Sequence, residues 1–391
     1  MAYVTEKRGV HYAVIYEGRN PVTGTERRRW HRCDDRADAV MVAAELTAAR
    51  GRQSRGGSSM TVCDYLVGRW LPARESTIAA STHARECAVV AHYVLPHLGT
   101  TQLRRLRPEH IQTLYRRLAI TGSRTGGPLA AKTILNLHQT LRAAFGDAAT
   151  HGLLAVNPID GVRPPDPRTR PSGRRRARSW TAEELGAFLD ATAAGRHAAL
   201  FRLAAATGMR RGEVLGLRWD DIHFDTGRIE ITQALISVGY ELTFTRLKTR
   251  TSRRNVTLDA DTLTLLAEWR RRQTDGLEGS GAVNEYGLVF TRPGGQPLHP
   301  HTVSQAFGRA QRRLDVPAIR FHDLRHTHAT LLLRDRVPIK VVSERLGHSN
   351  PAFTMTTYQH VIPGMQEDAA AAFGQLLADH STKSGGGSVA A

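Results

Sequence analysis

The chain has 391 residues, and its 54 Lys and Arg exceed its 36 Asp and Glu, which gives a formal net charge of +18 at pH 7. This length is more than a single ordinary hydrophobic core accommodates, so we expect two or three domains. The positive charge favours a polyanionic partner, because basic side chains that neutralise phosphates release counterions. An arginine-rich proteome would also produce a basic chain, and that alternative stays open.

Cysteine spacing and hydropathy argue against four further classes of protein. Cys33, Cys63 and Cys87 show no CxxC spacing, which argues against a disulfide framework and against a zinc ribbon. No apolar run approaches the roughly 18 residues that a membrane-spanning helix requires, and the N-terminus lacks a signal-peptide core. The sequence therefore predicts a soluble, cytoplasmic protein with no membrane partner.

The first 55 residues predict a small sheet followed by one helix. β-branched and aromatic residues favour strands at 10–16 and 25–31, and a third strand is expected before a turn at Arg8 and Gly9. Asp34 and Asp35 offer an N-cap for the helix. The run Arg27 to Arg29 fits either phosphate contact or a charged edge strand that deters aggregation. Residues 50–59 predict a flexible linker.

Residues 61–161 have the apolar spacing of four helices, which predicts a compact bundle with a helix break at Pro96. The histidines of this region lack ligand spacing and are predicted to be surface or capping residues: His92, His97, His110 and His138. Residues 162–178 are rich in proline and arginine, so we expect an extended linker attracted to phosphate, although a plain interdomain tether has the same composition.

Residues 179–380 predict a separate domain of helices with a small antiparallel sheet. Thr181 and Glu184 have the spacing of a capping box, and Thr207-Gly208 interrupts the helical pattern, which resumes over 211–219. Strands are predicted at 228–231, 241–244 and 254–258, the second pairing with the first. Later helices are predicted at 262–272, 302–314 and 322–334, and another starts with Pro338 at its first position.

The expected fold class is therefore mixed and mainly α, and its parts follow the composition of the chain. The predicted division is a small sheet domain at 1–55, a helical bundle at 61–161, a basic linker at 162–178, an α+β domain at 179–380 and a flexible tail at 381–391.

Five motifs in the second half occur in a fixed order. They are residues 207–213 with 215–219, Lys248 in a hairpin, residues 322–325, residues 346–348 and Tyr358. This ordered set resembles the tyrosine recombinase family of the phage-integrase type, most strongly over residues 180–362. The resemblance is weaker over 61–161, which is similar to the family's domain for core DNA sites. Residues 1–55 only partly resemble the three-stranded domain that some integrases use for arm-type sites.

The resemblance and elementary chemistry give each candidate residue the same task. A guanidinium fork matches two phosphate oxygens without losing its proton, which suits Arg210 and Arg325. Tyr358 is the expected nucleophile, and its phenol needs electrostatic help and a proton acceptor. His322 and His348 are expected to accept that proton or to donate hydrogen bonds to the phosphoryl oxygens. Lys248 is expected to donate a proton to the leaving 5′ oxygen, and Glu213 to orient the site.

A metal site is the main chemical alternative for the histidine-rich stretch. His322 and His326 share a helical face, but the glutamate of a zincin motif is missing. His326 and His328 are therefore predicted to be packing or hydrogen-bonding residues beside the site.

The resemblance implies a DNA strand-transfer enzyme that uses no metal, cofactor or ATP. It forms a 3′-phosphotyrosyl intermediate and integrates or excises a mobile element such as a prophage or a conjugative element. The implied partners are double-stranded DNA with core-type and arm-type sites, three further copies of the chain in a tetramer, and accessory bending and directionality factors. The protein is expected to be associated with the nucleoid when it is bound to DNA. Two alternatives remain, a type IB topoisomerase-like enzyme and a DNA-binding protein that has lost catalysis.

Overall fold

The structure is a computed structural model that describes residues 2–7, 9–19, 26–54, 60–123, 125–166, 178–247, 253–348, 350–358, 370–371 and 373–375. The chain divides into two compact units, Met1–Arg174 and Arg175–Ala391, and the division falls inside the predicted basic linker. Within the described ranges, no helix combines the length and apolarity needed to cross a membrane. The finer predicted division into domains stays a prediction.

An antiparallel sheet with the order β1-β2-β3 begins the first unit: β1 (Ala2–Lys7), β2 (Val10–Arg19) and β3 (Glu26–Cys33). Gly9, at φ +76°, lies in the turn between the first two strands. Helix α1 (Arg36–Ser54) follows, and the side chain of Asp35 accepts from the backbone N–H of Asp38 at 2.8 Å, as the capping prediction requires. Helix and sheet bury Ala13, Cys33, Ala39 and Ala43 between them.

The predicted linker at residues 50–59 is wrong over its first part, because α1 continues to Ser54. Alanine, arginine and glutamine are good helix formers, and together they outweigh the single Gly51, which costs about 1 kcal/mol in a helix. Residues 55–59 lie outside the described residues.

Four long helical segments follow among the described residues of the first unit. Their bounds are α2 (Val62–Tyr65, Leu66–Trp70 and Leu71–Glu75), α3 (Ala80–Val89, Val90–Val94 and Leu95–Leu98), α4 (Pro108–Thr121) and α5 (Ala131–Thr150), with a 3₁₀ turn at Leu103–Arg105. The middle segments of α2 and α3 are π-helical turns. Long-range hydrogen bonds hold the bundle together, such as the one from the Tyr65 hydroxyl to the Ala144 carbonyl at 2.7 Å.

Two predictions for this bundle are corrected. The helix does not break at Pro96, because the π turn directly before it changes the backbone hydrogen-bonding pattern and admits a residue without an N–H. His138 is buried and not a surface residue, and its Nδ1 lies 3.2 Å from the hydroxyl of Tyr115. His110 does cap its helix, since its Nδ1 accepts from the backbone N–H of Arg107 at 3.0 Å.

The second unit contains eight α-helices among the described residues: α6 (Ala182–Thr192), α7 (Ala198–Thr207), α8 (Arg211–Gly216), α9 (Ala260–Ser280), α10 (Pro300–Gln311), α11 (Asp323–Arg334), α12 (Ile339–Leu346) and α13 (Pro351–Tyr358). The predicted capping box is present, with Thr181 Oγ1 accepting from the Glu184 N–H. Pro338 directly precedes α12 and is not its first residue. Aromatic rings fill the core: Trp180, Phe188, Phe201, Phe307 and Phe321.

The sheet of this unit differs from its prediction. The strands are β4 (Ile222–His223), β5 (Arg228–Ile231), β6 (Gln233–Val238), β7 (Glu241–Arg246) and β8 (Arg254–Thr257). β5 pairs with β4 and β8, whereas β7 pairs with β6 in a separate hairpin, so the predicted pairing of residues 241–244 with 228–231 is wrong. Gly239 and Tyr240 have φ of +57° and +70°, which is the geometry of a two-residue hairpin turn.

The overall fold class is confirmed. Helices dominate, small antiparallel sheets occupy both units, and a three-stranded sheet with one helix begins the chain.

Candidate active site

Arg210 lies at the start of helix α8, where the helix meets the β6–β7 hairpin. Two glycines permit this contact, because a Cβ on Gly212 would lie 2.8 Å from the Leu235 carbonyl oxygen and one on Gly216 would lie 2.9 Å from the Leu235 nitrogen. Helix α8 ends at Gly216, three residues before the predicted end at Trp219, because Leu217 takes an extended backbone conformation. The hairpin therefore fixes the position from which the Arg210 side chain projects.

Glu213 connects Arg210 to a second arginine. Its Oε1 accepts from Nη1 of Arg210 at 2.7 Å, and its Oε2 accepts from Nη2 of Arg254 at 2.9 Å. Burial would raise the pKa of Glu213, but the hydrogen bond and charge of Arg254, helped by Arg210, outweigh it and lower that pKa. Glu213 is therefore an ionised, buried carboxylate between two cations.

Arg325 projects from α11 into the same region and is buried, with 4% of its surface exposed. Its Nη1 donates to the Gly208 carbonyl at 2.8 Å. Gly208 follows α7 with φ at +63°, so the chain turns sharply there and presents that carbonyl. The Nη2 of Arg325 is a buried donor with no hydrogen-bond partner among the described residues. A buried guanidinium donor of this kind is costly unless an anion or another acceptor satisfies it.

Positive charge is concentrated around Arg325. Burial is the largest influence and lowers its pKa, and the nearby cations Arg210 and Arg254 lower it further. A guanidinium stays protonated in proteins, so the lowered pKa expresses the free energy that this unneutralised charge costs. An anion bound here would offset that cost.

His348 lies beside this cationic region, after the end of α12. Gly347 ends the helix at φ +68°, and its carbonyl lies 3.4 Å from Nη2 of Arg210. The Nδ1 of His348 lies 2.7 Å from the Thr354 hydroxyl. Burial lowers the pKa of His348 to about 4, with Arg325 and Arg210 acting in the same direction. The ring is neutral at pH 7 and has one nitrogen available to a substrate.

Tyr358 is the last residue of α13, and its side chain is directed inward. It packs with Ala329, Leu333, Val342 and Leu346, and only 4% of the residue is exposed. Its hydroxyl oxygen lies 2.7 Å from Nδ1 of His326. Burial raises the pKa of Tyr358 to about 12, partly offset by Arg325.

His322 directly precedes α11, and its ring meets that of His326 edge to face with centroids 5.7 Å apart. His328 faces another way, because its Nδ1 donates to the Ala205 carbonyl at 2.9 Å. No group of three His, Cys, Asp or Glu residues in the described ranges is arranged to hold a metal ion.

The structure brings together five of the residues predicted for the site: Arg210, Glu213, Arg325, His348 and Tyr358. His322 lies next to them through His326, and Lys248 falls outside the described residues. Two side chains were missed by sequence reasoning. Arg254 is one of 49 arginines in the chain, and nothing local distinguishes it. His326 shares a helical face with His322, which was a usable signal, but it was predicted only as a packing or hydrogen-bonding residue beside the site.

Comparisons with known proteins show which family the chain belongs to. Residues 178–364 match the model of the Phage integrase family. The chain is 32% identical over 281 residues to a "Tyrosine recombinase XerC-like" protein of Caldanaerobacter subterraneus subsp. tengcongensis, and the match covers 68% of this chain and 70% of that protein.

Two solved structures share the fold. A Tn1549 transposon integrase in complex with transposon right end DNA superposes with a TM-score of 0.64 at 20% identity, covering 81% of this chain and all of that one. A lambda integrase tetramer bound to a Holliday junction gives a TM-score of 0.54 at 20% identity, covering 91% of this chain and 94% of that one. The chain belongs to the tyrosine recombinase family of phage-integrase type, and it is a DNA breaking and rejoining enzyme that acts at specific sites.

Proposed function

We propose that the chain is the integrase of a mobile element and that it cleaves DNA through a covalent bond to Tyr358. The observation that carries this proposal is the buried Nη2 of Arg325, a guanidinium donor with no hydrogen-bond partner among the described residues. It belongs to a region where Arg210 and Tyr358 both lie close enough to Arg325 to influence its charge electrostatically. A scissile phosphate bound there satisfies the donor, neutralises the charge and lies next to the phenol.

Each residue of the site has a role in this reaction. Arg210 and Arg325 bind the nonbridging oxygens, on which charge develops during attack. Glu213 holds Arg210 in its orientation. His322 and His348 supply hydrogen bonds to the phosphoryl group, and Lys248 gives a proton to the leaving 5′ oxygen.

The covalent intermediate explains how the enzyme works without an energy source. The phenolic oxygen of Tyr358 forms a bond to phosphorus while the bond from phosphorus to the 5′ oxygen breaks, which leaves a 3′-phosphotyrosyl linkage and a 5′ hydroxyl. A 5′ hydroxyl from a partner duplex then attacks the same phosphorus and releases the tyrosine. One phosphoester replaces another at each step, so we expect no requirement for ATP or a metal.

The proposed assembly is a tetramer on two paired DNA sites. The lambda integrase neighbour in its tetramer on a Holliday junction and the transposon integrase on element DNA support this proposal. Residues 61–161 would bind core-type DNA and residues 1–55 arm-type DNA, with the basic linker between the bundle and the catalytic domain. The proposal also includes accessory factors that bend DNA or set directionality. It places the gene on a prophage or a conjugative element, and the DNA-bound protein in the nucleoid.

A duplex with a nick near the cleavage point traps the proposed intermediate. The short fragment that carries the freed 5′ hydroxyl diffuses away, so it cannot attack the phosphotyrosyl bond and reverse the cleavage. We would tile such duplexes over the DNA on both sides of the gene, in excess EDTA and without ATP, and look for an SDS-stable protein–DNA adduct. We expect an adduct whose DNA-linked peptide contains Tyr358. An equal yield from Tyr358→Phe, or a strict need for added metal, would contradict the proposal.

A second assay separates strand exchange from simple relaxation of DNA. Two duplexes with different labels, both carrying the site found above, should yield hybrid products when the enzyme is a recombinase. Relaxation of a supercoiled plasmid without any hybrid product would identify a topoisomerase-like enzyme instead.

A further inference from the structure

His326 makes a direct contact with a reacting atom of the proposed chemistry. Its Nδ1 lies 2.7 Å from the Tyr358 hydroxyl oxygen, and the two rings are tilted by 52° with centroids 5.7 Å apart. A separation of 2.7 Å is a full hydrogen bond between a hydroxyl and a nitrogen. The sequence had offered His322 and His348 as proton acceptors for Tyr358.

We propose that His326 is a catalytic residue that accepts the phenolic proton of Tyr358 during cleavage and returns it during rejoining. This inference rests on the proposed role of Tyr358 as the nucleophile. It assigns the general base to the residue that follows Arg325, so one turn of α11 supplies both a phosphate-binding group and the base.

The environment of His326 suits that role. Asp323, Arg325, Arg320 and His322 surround it on or next to α11, and Tyr358 faces it from α13. Burial lowers the pKa of His326, and Arg325 and Arg320 lower it further against the opposing charge of Asp323. The imidazole is therefore neutral at pH 7 and has one bare nitrogen. With the proton on Nε2, Nδ1 accepts the hydrogen bond that the phenol donates.

The other two histidines of the site are arranged differently. His348 uses its Nδ1 in a contact with the Thr354 hydroxyl at 2.7 Å. His322 lies behind His326, with its ring edge to face against it. Both remain suited to the phosphoryl oxygens, whereas Nδ1 of His326 already holds the bond along which the proton would move.

Every proton that is transferred during cleavage is returned during rejoining. As the phenolic oxygen of Tyr358 bonds to phosphorus, its O–H bond breaks and an N–H bond forms at Nδ1 of His326. The bond from phosphorus to the 5′ oxygen breaks, and that oxygen takes a proton from Lys248. Rejoining reverses both transfers, so the enzyme ends with the protons it began with.

The test uses His326→Asn in the full-length chain. The carbonyl oxygen of asparagine can reach the position of Nδ1 and accept the hydrogen bond of the phenol, but it cannot take up its proton. His328→Asn is the matched control, because it lies on the same helix and its amide can replace the Nδ1–H donor to the Ala205 carbonyl. Single-turnover cleavage of the nicked duplex is measured for both, together with DNA affinity and thermal unfolding.

We expect His326→Asn to cleave about 100-fold more slowly than wild type at pH 7, with unchanged DNA affinity, whereas His328→Asn stays near the wild-type rate. Raising the pH should partly rescue His326→Asn, since hydroxide replaces the missing base. A substrate with sulfur at the 5′ bridging position has a leaving group that needs no proton. It should rescue Lys248→Ala and leave the His326→Asn defect in place.

Three results would overturn the inference. One is a rate for His326→Asn within about threefold of wild type. Another is an equal loss in both histidine variants, which would show a structural effect of changing α11. The third is rescue of His326→Asn by the sulfur substrate. If Tyr358→Phe still forms the adduct, the proposed function fails as well; if Tyr358→Phe is inactive while His326→Asn is normal, only the inference fails.

Discussion

Arg254 and Glu213 form an ion pair that is almost completely excluded from solvent. Nη2 of Arg254 lies 2.9 Å from Oε2 of Glu213, and the two side chains are 6% and 1% exposed. The other oxygen of the same carboxylate binds Arg210, whose side chain is 41% exposed. A buried pair thus holds a guanidinium that remains accessible to a substrate.

Glu213→Ala should destabilise the second unit strongly. Removing one partner of a buried ion pair leaves the other charge in a low-dielectric environment and costs roughly 3–5 kcal/mol. Urea unfolding followed by circular dichroism measures the loss. Glu268→Ala, in the exposed part of α9, is the control and should change the unfolding free energy by less than about 0.5 kcal/mol. Equal effects of the two changes would show that the pair adds nothing to stability.

The same carboxylate predicts a specific pH dependence of stability. Arg254 and Arg210 outweigh burial and hold the pKa of Glu213 in the folded state below its ordinary value of about 4.3. A lowered folded-state pKa gives stabilisation that is complete above about pH 4.3 and is lost as the pH falls through the folded value.

The difference in unfolding free energy between wild type and Glu213→Gln isolates this contribution from the other carboxylates. We expect that difference to be constant between pH 5 and pH 7 and to shrink below about pH 4.3. A difference that is independent of pH down to pH 3 would refute the assignment.

Sequence reasoning recovered most of the helices and strands, though not β4, β6 and α13, because apolar spacing, caps and turn residues are local signals. Thr181 with Glu184, Gly208 and Gly347 all lie where the pattern placed a helix boundary. The pairing of β7 was not recoverable in this way. It depends on Tyr240 taking a positive φ, which is uncommon for a residue with a side chain, and on tertiary contacts of β6 with α8.

The sequence predicts individual residues of the candidate site but not the network that connects them. The ordered motifs point to Arg210, Arg325, His348 and Tyr358, since each lies in a recognisable local context, and the structure places these four residues together. The partners of these residues are distant in the chain, as with Arg254, which lies 41 positions from Glu213. Such pairings are set by packing, and a single sequence carries no record of them.

Gly208→Ala should lower both stability and activity. Gly208 has φ of +63°, and an added Cβ would lie 2.7 Å from Cδ2 of Leu346 and 2.8 Å from Cδ2 of His328. Gly281→Ala is the matched control, because Gly281 ends α9 at φ +65° with nothing within 4 Å of its Cβ position. The control measures the backbone strain alone, about 1–2 kcal/mol.

We expect Gly208→Ala to cost at least about 1 kcal/mol more than Gly281→Ala in thermal unfolding, since the overlap adds to the strain. Cleavage should also slow, because the Gly208 carbonyl anchors Nη1 of Arg325 at 2.8 Å. Unfolding temperatures that fall equally in both variants would show that the contact with α11 and α12 relaxes without cost.

Arg325→Met should separate stability from activity. The free protein buries a guanidinium whose Nη2 has no hydrogen-bond partner in the described part of the chain, and this burial is unfavourable until an anion binds. Methionine removes the charge and keeps an unbranched side chain of similar length. The lost hydrogen bond to Gly208 costs about 1 kcal/mol, and relief of the buried charge offsets it.

We therefore expect the unfolding free energy to stay within about 1 kcal/mol of wild type or to rise, while the cleavage rate falls by at least about 100-fold. Urea unfolding and single-turnover cleavage measure the two quantities, with the exposed Arg313→Met as the control for stability. A loss of about 3 kcal/mol in Arg325→Met would instead assign Arg325 a structural role.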